Sequence, residues 1–97
     1  MKLTKCQQRL LEYLGEDYSI KVIDWEVCLY RKFIDYDVEI SGGYHRRPFN
    51  IYVWMINPHY EIIEKHFHVP HEYEVVKKLL DGIAKRYGDL SSDKAMI

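Results

Sequence analysis

The spacing of apolar residues at the start of the chain is that of a helix. Residues 3–14 place apolar side chains three and four positions apart, so that they fall on one helical face. These side chains are Cys6, Leu10, Tyr13 and Leu14. Thr4 followed three positions later by Gln7 matches a capping box, and helices often end at a glycine such as Gly15. The pattern therefore predicts an N-terminal helix over residues 3–14.

After Tyr18 the apolar period changes to two, which is typical of strands. Alternating segments rich in β-branched and aromatic residues cover residues 18–23, 25–33, 36–41, 49–56 and 61–69. A helix over residues 24–34 is the competing interpretation of the second segment, because Val27, Tyr30 and Ile34 also have helical spacing. The pattern favours an antiparallel meander of about four to five strands.

The last two alternating segments define the expected faces of the sheet. In residues 49–56 both sets of side chains are apolar, with Ile51, Val53 and Met55 on one side and Tyr52, Trp54 and Ile56 on the other. In residues 61–69 alternation places Ile63, Phe67 and Val69 on one side and Ile62, Glu64, His66 and His68 on the other.

A second helix follows the strands and completes the predicted fold. Pro70 suits its first turn, Gly88 its end, and an apolar stripe runs along it. Two amphipathic helices cover only one face of a sheet, so we expect a two-layer α+β sandwich with the N-terminal and C-terminal helices packed together on that face. The chain is predicted to form one domain over residues 1–88, followed by a flexible tail over residues 89–97.

The other face of the sheet, left open, is the main functional prediction. It is expected to carry Tyr52 and Trp54 and, by alternation, members of the set Tyr30, Glu64 and His66. Aromatic side chains in a contiguous patch are common anchors of protein interfaces. The leading hypothesis is a small non-enzymatic interaction module that binds a protein partner or a second copy of itself as a homodimer.

Composition and the absence of apolar segments bear on the expected partner and on the expected location of the protein. The 97 residues carry a net charge of −1, which argues mildly against a dedicated nucleic-acid binder. The first residues do not match a secretory signal, and no segment approaches the roughly 18 apolar residues of a membrane span. Cys6 and Cys28 are interpreted as reduced thiols, so a cytoplasmic protein without a membrane segment is expected.

Two alternative functions rest on local clusters. On a strand, Glu64, His66 and His68 would point the same way, which is the arrangement of metal ligands, and His71 follows just beyond the strand. The simpler interpretation is a strand-to-helix junction with histidines near the solvent. The sequence has neither the cysteine pairs nor the His-Glu-x-x-His motif of well-marked zinc sites.

The second cluster lies in the loop of residues 41–49. Arg46 and Arg47 stand beside Tyr44, a combination of cation and stacking surface that single-strand nucleic-acid binders use. The same loop also suits a solvated hairpin tip or a contact with an acidic protein partner. Nucleic acid is therefore the less favoured partner.

Catalytic chemistry has little support in the sequence. No nucleophile elbow, phosphate-binding loop or dinucleotide motif occurs, and no motif identifies a family. The chain is expected to be a non-enzyme that needs no cofactor.

Overall fold

The computed structural model describes residues 2–43 and 47–88 as two helices on one five-stranded sheet. The elements in chain order are α1 (Lys5–Leu14), a 3₁₀ turn (Gly15–Asp17), β1 (Ser19–Ile23), β2 (Glu26–Lys32), β3 (Tyr36–Gly42), β4 (Phe49–Met55), β5 (Glu61–Val69) and α2 (Tyr73–Tyr87). Every neighbouring pair of strands is antiparallel, in the order β1-β2-β3-β4-β5. The predicted α+β meander with an N-terminal and a C-terminal helix is confirmed.

Two boundaries refine the sequence-based prediction. The segment that was also compatible with a helix, residues 24–34, is the strand β2 with the turn before it. The second helix begins at Tyr73 rather than at Pro70. His71 is held by the sheet instead, because its ring packs 4.8 Å from that of Phe49 (centroid to centroid). The predicted tail, residues 89–97, lies outside the described residues.

Both helices pack their apolar stripes against the same face of the sheet, although Tyr13 of the predicted α1 stripe is 45% exposed. The helices contribute Leu10, Val76, Leu80 and Ile83 to the core, and the strands contribute Leu29, Val38, Ile40, Phe49, Ile51, Val53 and Val69. The predicted stripe of α2 supplies core residues, as do Ile51 and Val53 of β4, whereas Met55 on the same predicted side is only half-buried. Burial of this apolar surface is the main driving force for a chain of this size.

Gln7 is a polar residue in this core, only 3% exposed, and it fastens α1 to the sheet. Its backbone and side chain complete the predicted capping box with Thr4. The amide Nε2 also donates hydrogen bonds to Val27 O (3.1 Å) and to Gly42 O (3.0 Å). The Thr4 hydroxyl donates to Gly43 O (2.9 Å), which ties the same turn of helix to the β3–β4 loop.

These bonds replace part of the β2–β3 ladder. The paired register ends at Leu29 opposite Ile40, although its continuation would set Val27 opposite Gly42. At that point side chains supply the hydrogen bonds that the ladder lacks. The Gln7 amide donates to both carbonyls, and the Glu26 carboxylate accepts the Gly42 N–H (3.1 Å). Buried backbone groups need partners of this kind. The end of the sheet is therefore held by α1.

Two bulges in β5 change which of its side chains face the helices. The register shifts between Val53 and Trp54 of β4 and again between Phe49 and Ile51. Each extra residue reverses the alternation, so the two faces are exchanged from Glu64 to Phe67 and restored at Val69. The sequence-based prediction for β5 is correct at its ends and wrong between the bulges.

The β1–β2 turn consists of Asp24 and Trp25, and the indole of Trp25 is 86% exposed. Both residues have positive φ angles, 49° and 69°, which is what a type I′ turn requires. Glycine or asparagine usually occupies such positions, because the left-handed conformation costs other residues about 1–2 kcal/mol. A largely exposed tryptophan therefore occupies a turn position whose left-handed backbone conformation is unfavourable for it.

Replacing Gln7→Ala is expected to lower the free energy of unfolding by about 3 kcal/mol, because two buried carbonyls lose their donor. Urea denaturation measures this change. The matched control is Gln8→Ala on the exposed side of the same helix, with an expected effect within about 0.5 kcal/mol. Equal effects of the two substitutions would contradict the role of Gln7.

Replacing Trp25→Gly is expected to raise the free energy of unfolding by about 1 kcal/mol, since glycine adopts the left-handed conformation without the side-chain clash. Trp25→Ala removes the same indole but keeps a β-carbon, so it should give no such gain. A gain from alanine as large as that from glycine, in the same urea titration, would show that the backbone is not the cause.

Candidate interaction face of the sheet

The sheet face away from the helices, here called the open face, carries aromatic and acidic side chains in two rows. One row crosses the sheet through Tyr30, Glu39, Tyr52 and Lys65, and the next through Lys32, Asp37, Trp54 and Ile62. The structure therefore brings together Tyr30, Tyr52 and Trp54, as the sequence predicted. Cys28 and Phe67 also lie on the open face.

Two aromatic pairs extend this surface. Tyr52 packs edge-on against Phe67, with ring centroids 5.8 Å apart and an interplanar angle of 74°. Trp54 packs in the same manner against Tyr60, at 6.4 Å and 76°. Such edge-to-face pairs are favourable beyond the area they bury, and they hold the rings in fixed orientations.

Sequence reasoning missed both outer rings. Phe67 was placed in the core by simple alternation, and the bulges move it to the open face, where it is 54% exposed. Tyr60 lies in the β4–β5 connection, between the predicted strand segments of residues 49–56 and 61–69, and was not among the predicted site residues. Its exposed position two residues after Pro58 was the available signal, but a turn tyrosine has no predictable direction.

Carboxylates lie between the aromatic rings. Glu39 is half-buried at the centre of the sheet and accepts a hydrogen bond from the Trp54 indole. Burial raises the pKa of the Glu39 carboxyl, the Trp54 bond lowers it, and the nearby carboxylates Glu26 and Asp24 raise it further. The net direction is upward, and the contributions of Glu26 and Asp24 to it show that several carboxylates lie near the centre of the open face.

Asp37 adds a second acidic group to this centre. Its Oδ2 accepts a hydrogen bond from the Tyr30 hydroxyl. Burial, followed by this bond and the charge of Asp37, raises the pKa of Tyr30. The phenol is therefore neutral and acts as a donor at physiological pH. Three lysines share the face, but Lys21 and Lys65 are on the edge strands and Lys32 is at the end of β2.

The buried cysteine of this face is a poor nucleophile. Burial and the charges of Glu39 and Glu26 raise the pKa of the Cys28 thiol to about 12. The thiolate is the reactive form, so the thiol is inert at neutral pH. Burial also raises the pKa of Cys6, and both cysteines are free.

In the part of the chain that the structure describes, three depressions lie on or beside the open face. The first, of about 320 Å³, is bounded by Lys21, Val22, Ile23, Tyr30, Asp37, Glu39, Trp54 and Tyr60. The second, of about 250 Å³, lies over Cys28 between Glu39, Tyr52 and Trp54. The third, of about 400 Å³, lies at the β3–β4 end and includes Arg47, Tyr52 and His68. The first has a size typical of small-ligand sites.

The structure brings two of the three predicted metal candidates together and separates the third. Glu64 and His66 point to the helix side, where His66 Nε2 is 2.5 Å from a Glu64 oxygen and the Tyr87 hydroxyl donates to Glu64 (2.9 Å). Arg86 also donates to Glu64, at 2.5 Å. His68 occupies the second bulge with a φ of 60° and lines the depression beside Tyr52. Within residues 2–43 and 47–88 no group of three or more potential ligands is arranged to hold a metal.

The placement of Glu64 and His66 on the open face was therefore wrong. The cause is the bulge between Val53 and Trp54, which turns Glu64 toward α2 and makes it the acceptor of three donors. Sequence alternation does not show where a strand gains one residue.

The structure describes only part of the β3–β4 loop, in which Tyr44, Arg46 and Arg47 were predicted to bind a partner. Tyr44 and Arg46 lie outside the described residues. Arg47 is exposed, its backbone oxygen lies 2.5 Å from His71 Nε2, and its side chain borders the depression that also includes Tyr52. One of the two predicted arginines is thus adjacent to the open face.

No family model, curated protein sequence or solved structure matches this chain. Among the described residues no helix is long and apolar enough to cross a membrane.

Replacing Glu64→Gln is expected to lower stability at pH 7, and the difference from wild type should shrink as the pH falls. Burial raises the pKa of Glu64, but the bonds from His66, Tyr87 and Arg86 outweigh it and hold the pKa below the ordinary 4.5. A lowered folded-state pKa adds stability that is complete above the unfolded pKa and is lost as pH falls through the folded pKa.

Urea denaturation between pH 7 and pH 3 checks this prediction. Glu12→Gln on the exposed side of α1 is the matched control and should show little pH-dependent difference. A Glu64→Gln deficit that stays constant down to pH 3 would show that the three bonds do not stabilise the ionised carboxylate.

Proposed function

We propose that the protein is a small, cytoplasmic, non-enzymatic interaction module that binds a basic segment of a partner protein across the open face. The observation that carries this proposal is the aromatic and acidic surface on the uncovered side of the sheet. A soluble domain that presents Tyr52, Trp54 and Phe67 side by side has a contiguous patch of the kind that anchors interfaces.

The charge of the open face supports a basic partner. Asp37 and Glu39 lie in the middle strand of the sheet, and Glu26 lies on the strand beside it. The raised pKa of Glu39 reflects burial and the neighbouring negative charges, and a bound cation would offset the repulsion between these charges. Lysine and arginine side chains bind carboxylates and also stack on aromatic rings.

A homodimer through the same face is less well supported. Two-fold symmetry places the same patch on both sides of an interface, so the carboxylates near its centre would approach their own copies. Like charges at the centre of an interface are unfavourable unless the edge lysines are brought to them.

Single-stranded nucleic acid is also less well supported. Tyr52 and Phe67 offer stacking surfaces, and Arg47 lies at one end of them. Phosphates that follow the sheet from there would meet Asp37 and Glu39, and repulsion by these groups opposes binding. Metal binding through Glu64, His66 and His68 has the least support, because His68 points away from the other two.

The test is affinity capture from host extract with the wild-type protein and the double variant Tyr52→Ala/Trp54→Ala. We expect the wild type to retain a partner with a basic contact segment, and the double variant to lose at least about 90% of it, as loss of hot-spot aromatics predicts. Increasing salt should weaken capture, because part of the attraction is between exposed charges.

The matched control is Val75→Ala, which removes an exposed apolar group from the helix layer and should capture the partner as well as wild type does. Circular dichroism and urea denaturation verify that every variant is folded. Undiminished capture by the folded double variant would reject the proposal. Retention of an oligonucleotide at about 50 mM salt, or a dimer by sedimentation that the double variant abolishes, would favour the other two candidates.

A further inference from the structure

The depression beside Tyr30 has the chemistry of a cation site. Three aromatic residues bound it, and two of them, Trp54 and Tyr60, have their rings nearly perpendicular at 76°. Two acidic residues, Asp37 and Glu39, complete its lining. Aromatic faces combined with carboxylates are the arrangement by which proteins hold organic cations.

An unsatisfied carboxylate oxygen points to a missing donor. Asp37 is 7% exposed and lines the depression, and its Oδ2 is bonded by the Tyr30 hydroxyl. Its other oxygen, Oδ1, is buried and has no hydrogen-bond partner among the residues that the structure describes. Buried polar atoms in folded proteins nearly always have a partner, and a buried carboxylate oxygen most favours a charged N–H donor.

A lysine of the chain already uses one wall of the depression. Lys21 Nζ lies 4.2 Å from the centroid of the Tyr30 ring, within the range of a cation–π interaction. Lys21 is on the edge strand β1 and is exposed, so its side chain can move away without disturbing the core. The Tyr30 wall thus binds an ammonium group in this structure.

We propose that the depression bounded by Tyr30, Trp54, Tyr60, Asp37 and Glu39 is a receptor for one arginine or lysine side chain of the partner. The cation lies against the walls formed by Trp54 and Tyr60, displaces the Lys21 ammonium from Tyr30, and donates a hydrogen bond to Asp37 Oδ1. This inference rests on the proposed function, because it names the group that the partner presents. Its test uses no partner, so the two fail separately.

The experiment is a titration of the ¹⁵N-labelled protein, followed by NMR, with N-acetyl-arginine methylamide and with its lysine counterpart. The chain has two tryptophans, so the indole N–H of Trp54 reports on the site and that of the exposed Trp25 serves as an internal reference. Trp25→Phe assigns the two signals. We expect a saturable shift of the Trp54 signal with a Kd of about 1–10 mM, as a few cation–π and charged contacts would give.

The citrulline counterpart is the matched neutral probe, since it keeps the shape of arginine and lacks its charge. It should produce no saturable shift of the Trp54 signal. An equal response to citrulline, or no saturable response to either cation, would refute the cation site. The capture experiment would still decide whether the open face binds a partner.

Variants at the pocket test the walls individually. Tyr60 is 73% exposed, so Tyr60→Ala should leave the fold intact and weaken the cation about fivefold, whereas Tyr60→Phe should bind like wild type. Asp37→Asn should weaken binding at least as much as Tyr60→Ala does, since it removes the charge that faces the cation. If Asp37→Asn does not fold, the Tyr60 pair decides. Unchanged affinity in folded Tyr60→Ala would contradict the proposal.

Two further experiments test whether the added cation displaces Lys21 and whether the site takes a protein side chain or a free polyamine. Lys21→Gln removes the competing ammonium and should tighten the added cation about twofold or more; weaker binding would refute displacement. A short peptide with one arginine between glycines should bind as well as the single amino-acid derivative. Spermidine binding more than about tenfold tighter than the peptide would assign the site to a free polyamine and overturn its assignment to a protein segment.

Discussion

The side-chain amide of Gln7 supplies the connection on which the layered arrangement of this protein depends. Strands β2 and β3 separate before their ends. The carbonyls of Val27 and Gly42 accept hydrogen bonds from Gln7 of α1 rather than from N–H groups of the neighbouring strand. Since a buried carbonyl without a donor is costly, α1 is fixed both in position and in orientation over the sheet. Hydrophobic contact alone would allow the helix to slide. The hydrogen bonds select one arrangement of the two layers.

That arrangement leaves the second face of the sheet to solvent. Both helices lie on the same side, so the side chains that alternate outward from β2, β3 and β4 are only half-covered by one another. Placing Asp37 and Glu39 there is unfavourable for folding unless other groups compensate, because burial penalises their charge. Tyr30 and Trp54 supply one hydrogen bond each. The compensation is incomplete at Asp37 Oδ1, which is buried and has no hydrogen-bond partner among the described residues.

Sequence patterns predicted the parts of the structure that depend on local spacing. The spacing of residues close in sequence was sufficient to predict the Thr4–Gln7 capping box, the strand β4 and the shared face of Tyr30, Tyr52 and Trp54. Contacts between distant elements were not predictable in this way. Gln7 was recognised as a cap, but its bonds to Val27 and Gly42 depend on a gap between two strands that no sequence pattern marks.

The two bulges of β5 show why the candidate site was only partly predicted. Alternation gives the face of a residue only if the strand gains no extra residue, and Glu64, His66 and Phe67 all lie between two such gains. Whether a ladder gains a residue is decided by the packing of β5 between β4 and α2, for example by the bonds that draw Glu64 toward Tyr87.

The same bulges constrain how this sequence can change during evolution. Each one shifts the chain by a single residue, and together they return Val69 to the core and deliver the chain to α2 in the correct orientation. If β5 kept its length but paired without one of the bulges, the part of the strand beyond that point would turn over, exposing core residues and burying charged ones. Loss of both would preserve the ends and exchange Glu64 and His66 for Phe67 beneath the helices. At this strand length Val69 therefore keeps its place in the core only when the pairing contains both bulges or neither.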